Sequence, residues 1–149
     1  MRRISFIIVV LLFSLSENIK AQSGNALIDA YVYNVQSKLP LISSDYETLL
    51  VDVEYKDKSL IETREVRMYE QYKQLLKRQK RIKKETIELY MTNENLFKFA
   101  KELIGINANL VEVYICKVQF IKKRETAEET FSFTITYTPE DFRKAMPKE

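Results

Sequence analysis

Asp52 and Glu54 stand two residues apart in the alternating segment 49–55, so both project from one face of an extended strand. Two carboxylates about 5–10 Å apart across a cleft are the working parts of a glycosidase. Here Val51, Val53 and Tyr55 occupy the intervening positions, and that alternation is also the wetted face of a half-buried strand. The strand reading is adopted, because nothing else in the chain completes a catalytic set. Histidine is absent, which removes the commonest general base, the triads built on it and the commonest nitrogen ligand for zinc or copper. The only glycines, Gly24 and Gly105, lie far apart, so neither a phosphate-cradling loop nor a dinucleotide fingerprint can be written. No Asp-rich loop of calcium-binding spacing occurs. The single cysteine, Cys116, shares a strand face with Tyr114, Val118 and Phe120 and reads as a small buried apolar residue. Without histidine it has no partner to make it a nucleophile. We expect no enzymatic activity, no metal and no cofactor.

Two sets of residues are candidates for binding. Tyr31 and Tyr33 fall on a first helix, Tyr69 and Tyr72 on a middle helix, and Tyr114 on a long strand. Tyrosine pairs an apolar body with a polar tip, which suits a ligand pocket or partner surface and suits the margin of a core equally well. The helical spacing of Tyr31, Tyr69 and Tyr72 already accounts for them structurally. The second set is basic: Lys77, Arg78, Lys80, Arg81, Lys83 and Lys84, with Lys73 just before them. Such a run could touch a polyanion such as lipopolysaccharide, acidic glycan or DNA. Glu62, Glu65 and Glu70 precede it, however, so charge runs from acidic to basic as a helix dipole favours. The cations spread around the polar side of the helical wheel, and no aromatic residue lies among Lys77 to Lys84 for stacking on bases. A solvated helix face is the simpler account.

The elements that would position these residues follow from periodicity. Leu27, Ile28, Tyr31, Val32, Val35 and Leu39 form one helical stripe over residues 25–39, with Pro40 after it. Residues 49–55 form a strand and 56–59 a turn. Residues 60–66 read as the returning strand of a hairpin, although Ser59 and Glu62 could instead cap a helix. One helix is expected over residues 67–85, where Met68, Tyr72, Leu75 and Ile82 keep a four-three spacing. A further helix, capped by Thr92 or Asn93, would bury Leu96, Phe97, Phe99, Ala100, Leu103 and Ile104 and end with Gly105 in a left-handed conformation. Residues 110–121 read as a central strand, residues 122–130 as an exposed charged loop, and residues 131–138 as an alternating strand. Thr138-Pro139-Glu140-Asp141 starts a last short helix. The fold class is therefore α+β, with helices packed on one face of a small antiparallel sheet in the order helix, strand pair, two helices, strand pair, short helix.

Residues 1–21 bear the pattern of an export signal: basic Arg2 and Arg3, a 12-residue apolar stretch from Ile4 to Leu15, and a small residue at Ala21. That stretch is shorter than the roughly 18 residues of a membrane-spanning helix, and no later segment is apolar enough to span. Cleavage after Ala21 leaves residues 22–149 as a single domain of 128 residues. The leader carries Arg2, Arg3 and Lys20 against Glu17, so its loss lowers the net charge from +3 to +1 and weakens any case for nucleic acid. A Lys-Ala-Gln junction suggests a Gram-negative source and a periplasmic or extracellular destination. With 46% hydrophobic residues, nine Tyr and eight Phe, the core can suffice without a disulfide. The expected role is non-enzymatic binding or assembly at the cell envelope with a protein partner. The alternative is a small-ligand carrier with an apolar aromatic pocket between sheet and helices.

Overall fold

A computed structural model describes residues 23–42 and 48–148; residues 1–21, read above as an export signal, lie outside the described residues. Helix α1 (Ala26–Gln36) is capped by the Asn25 side chain, which accepts from the backbone N–H groups of Leu27 and Ile28. It buries Ile28, Tyr31, Val32 and Val35, the expected stripe. Strand β1 (Leu41–Ile42) pairs with β2 (Thr48–Lys56), which turns at Asp57-Lys58 into β3 (Ser59–Val66). Residues 60–66 are thus strand, as favoured above. A bulge between Leu50 and Asp52 shifts the alternation of β2. Leu50 and Val53 point to the core, Val51 is half-buried, and Asp52 and Glu54 are exposed.

The expected helix over residues 67–85 is two helices, α2 (Tyr69–Lys77) and α3 (Gln79–Thr92). They meet at Arg78, whose N–H bonds to the carbonyls of Gln74 and Leu75 in a tightened last turn. Helix α2 packs on the sheet at β3 and β4, whereas α3 packs on α4 (Glu94–Gly105) and on α5 (Pro139–Ala145), so the chain must turn between them. No glycine or proline marks that turn, and the apolar spacing runs through it.

Asn93 caps α4 by accepting from the N–H groups of Asn95 and Leu96. Gly105 is the last helical residue, and the left-handed position falls at Asn107 (φ 53°). Asparagine tolerates that region, so glycine was not needed there. Strand β4 (Asn109–Lys122) and β5 (Glu125–Tyr137) pair along their whole length, from Leu110 opposite Tyr137 to Lys122 opposite Glu125. The charged stretch expected as a loop is therefore a two-stranded ribbon closed by Lys123 and Arg124, both at positive φ. Backbone pairing in solvent places no demand for apolar side chains, which is why the alternation gave no signal. The start of α5 is as expected: Thr138 and Asp141 form a reciprocal capping box with Pro139 at the first turn.

The sheet is mixed, in the order β1-β2-β3-β4-β5. Each hairpin is antiparallel, and the central β3–β4 pair is parallel because the three-helix crossover returns the chain to the same end. All residues of the sheet that are buried, among them Leu60, Val66, Leu110, Cys116 and Phe133, share the helix-bearing face. The order otherwise follows the expectation, with a third helix in the crossover and β1 added at the edge.

Candidate functional site

The parallel pair brings Glu62 of β3 opposite Glu112 of β4. Their strand positions put both carboxylates, with Arg64, on the face covered by helices, in line with Leu60, Val66 and Leu110. Glu62 is 2% exposed, Arg64 3% and Glu112 6%. A buried charge survives only with partners, and these have them. Arg64 Nη2 lies 2.5 Å from Glu62 Oε2 and 3.6 Å from Glu112 Oε1. The Tyr31 hydroxyl, from α1, donates to Glu62 Oε1. The Tyr114 and Tyr137 hydroxyls both donate to Glu112 Oε2, at 3.1 and 2.9 Å. Tyr90 of α3 is also buried and adds a further phenol to this field.

The electrostatics follow from enclosure. Burial pushes the Glu112 carboxyl above its ordinary range, against the opposing pull of Arg64 and the two phenol hydrogen bonds. Burial and the neighbouring carboxylates raise the phenols of Tyr31, Tyr90, Tyr114 and Tyr137. Burial disfavours the Arg64 cation, yet Glu62 and Glu112 outweigh it and hold the charge in place. Two acids face one another here, but beneath the helices and not across a cleft. Among the described residues, no three His, Cys, Asp or Glu side chains are grouped to hold a metal ion.

The five candidate tyrosines do not gather into one surface. Tyr31 joins the acid cluster and stands edge-on to Phe99 at 5.2 Å. Tyr69, Tyr72 and Tyr114 are linked through strand phenylalanines: Tyr69 to Phe131 at 5.0 Å, Tyr72 to Phe133 at 5.5 Å and Tyr114 stacked on Phe133 at 4.8 Å. Of these only Tyr69 keeps a large exposed area, and Tyr33 faces outward at 55% exposure. Tyr90 and Tyr137 were not singled out from sequence, nor were Glu62, Arg64 and Glu112 as a group. The available signal was charge in phase with the apolar residues: Glu62 and Arg64 fall on the same alternation as Leu60 and Val66.

The basic run divides at the α2–α3 junction. Lys77 ends α2, Arg78 is the junction, and Lys80, Arg81, Lys83 and Lys84 lie in the first half of α3. Arg81 pairs with Glu85 at 2.7 Å, Lys84 with Glu88 at 3.8 Å, and Lys83 reaches Asp141 of α5 at 2.8 Å. Lys77 and Lys80 are exposed. Cys116 is fully buried.

One further surface stands out. On the helix-free face of the sheet, Val111, Val113 and Ile115 of β4 lie beside Ile61 and Thr63 of β3. All are half-buried, and among the described residues no helix covers them. Parallel strand pairs are ordinarily covered on both faces. Farther along the same face of β4, Ile121 is 80% exposed, and β5 adds a row of hydroxyls at Thr130, Ser132, Thr134 and Thr136. The outer edge of β5 has no strand partner among the described residues.

No family model matches the chain, and no curated protein matches it. Among solved structures it is similar to a crystal structure of a candidate secreted protein from Pseudomonas aeruginosa, with 12% identity and a TM-score of 0.48. That likeness covers 75% of this chain and 94% of the other. At that level it carries no functional information. Among the described residues, no helix is long and apolar enough to cross a membrane.

Proposed function

We propose that the chain is an exported, non-catalytic binding or assembly protein of the cell envelope that meets a protein partner through the helix-free face of its sheet. The observation that carries this reading is the aliphatic strip Ile61, Val111, Val113 and Ile115 on a central parallel pair with one face open. These four side chains are half-buried with no helix over them among the described residues, so apolar area remains there for a partner to cover. Apart from Glu112, β4 is apolar on both faces over residues 110–115, a pattern that burial on both sides explains. The space between sheet and helices is occupied by Tyr31, Phe99, Tyr114, Tyr137 and Phe142, all essentially fully buried. That filling favours a binding surface over a carrier with an internal pocket. Export rests on the leader pattern of residues 1–21.

The test is affinity capture from envelope fractions with the wild-type chain and a Val113→Glu variant whose fold is checked by circular dichroism. A partner retained by the wild type and lost by the variant supports the reading. Equal capture by both, or none by either, sinks it. Mass spectrometry of the exported product should find Gln22 at its N-terminus.

A further inference from the structure

The cluster between sheet and helices holds two carboxylates against one cation. From β3 come Glu62 and Arg64, from β4 Glu112 and Tyr114, from β5 Tyr137, from α1 Tyr31 and from α3 Tyr90. The cation is not shared evenly. Arg64 Nη2 is in close contact with Glu62 at 2.5 Å and stands 3.6 Å from Glu112. Glu62 also receives the Tyr31 hydroxyl, so its charge is matched by a cation and a donor. Glu112 has only phenol donors at hydrogen-bond distance, both on one oxygen, Oε2. The phenol hydrogen bonds and the more distant Arg64 favour the carboxylate form, but enclosure of the ion is the stronger effect.

We propose that a proton resident on Glu112 is a constituent of the folded domain, making this cluster a built-in acid-sensing site. In the protonated state the buried set is neutral overall: Arg64 balances Glu62, and Glu112 is an uncharged carboxylic acid. Loss of that proton leaves a net buried negative charge at the seam between the two hairpins. The unfolded chain releases the same proton in the ordinary carboxyl range, about pH 4.3. Between that pH and the higher value at which folded Glu112 titrates, folding takes up one proton. Stability from this group is therefore complete below the ordinary range and declines as pH rises through the folded value. This is the reverse of the usual contribution of a salt-bridged acid.

The experiment is urea unfolding of the full chain and of a Glu112→Gln variant from pH 4 to pH 8. Glutamine keeps the shape and stays neutral. The ratio of wild-type to variant folding constants should fall with rising pH, by up to about tenfold per pH unit where the slope is greatest. A ratio that stays constant over this range overturns the proposal. Should the variant not fold, carboxyl 13C resonances of the wild type decide the matter without it. A β4-assigned Glu112 resonance that remains protonated above the ordinary range supports the site, and its titration within that range overturns it.

Discussion

Glu62 and Glu112 sit directly opposite each other on neighbouring parallel strands and share one guanidinium, that of Arg64. Two like charges on facing strand positions would repel, the more so beneath a layer of helices, and a proton on Glu112 relieves that repulsion. Arg64 is thus the residue on which the seam between the two hairpins depends electrostatically.

Replacing it tests this directly. Arg64→Met keeps apolar volume and removes the cation, leaving the buried Glu62 carboxylate without its counter-charge beside Glu112. A loss of about 3–5 kcal/mol is expected at neutral pH, read from chemical denaturation. The deficit should shrink as pH is lowered. A deficit that does not change with pH would mean that Arg64 matters only for packing.

Tyr31 and Tyr33 lie two residues apart on α1, with opposite surroundings. Tyr31→Phe removes the donor to a buried carboxylate and should cost about 1.5–3 kcal/mol. Tyr33→Phe alters an exposed side chain and should stay within about 0.5 kcal/mol. Equal effects in the two variants would contradict the placement.

The phenols of Tyr31, Tyr90, Tyr114 and Tyr137 are held un-ionised by burial and by Glu62 and Glu112. Because their folded values are raised, the stability tied to them is present below the ordinary phenol range, about pH 10, and is lost above it. Ultraviolet titration of the native protein should show these four phenols ionising only together with unfolding. Reversible ionisation of them in a folded protein would show that the cluster is open to solvent.

Gly105 is helical and exposed, and a methyl group added there meets nothing within 4 Å. Gly105→Ala should therefore stabilise the domain by about 0.4–1 kcal/mol by restricting the unfolded chain. Asn107, at φ 53°, should respond the other way when changed to alanine. Thermal melts of the two variants should move in opposite directions.

Much of the architecture could be read from residue order, for reasons visible in individual elements. Helix α1 declares itself through its apolar stripe, and α5 through Thr138, Pro139 and Asp141. The break at Arg78 could not be read, because tertiary packing and not a local breaker turns the chain there. The ribbon of β4 and β5 was hidden by Glu125, Glu128 and Glu129, which look loop-like although backbone pairing ignores them. The cluster at Glu62, Arg64 and Glu112 has no local signature in residue order, because it forms only when β3 and β4 come together, and the chain separates them by three helices. A charged residue in phase with buried neighbours was the one available clue. The tyrosines were visible as a type, but their division between core and surface depends on which helix covers which strand.

The placement of the parallel pair bears on the order of events during folding. Each hairpin is closed by a two-residue turn, so its contacts are local and quickly made. The β3–β4 pairing must wait for a crossover reaching from Arg67 to Ala108 to draw its ends together, and such long-range closure is the slow part of a search. Glu62 and Arg64 come to face Glu112 only at that closure. The meeting of these charges should then belong to the rate-limiting barrier. Removing a charge at this seam should change how fast the chain folds, and not only how fast it comes apart.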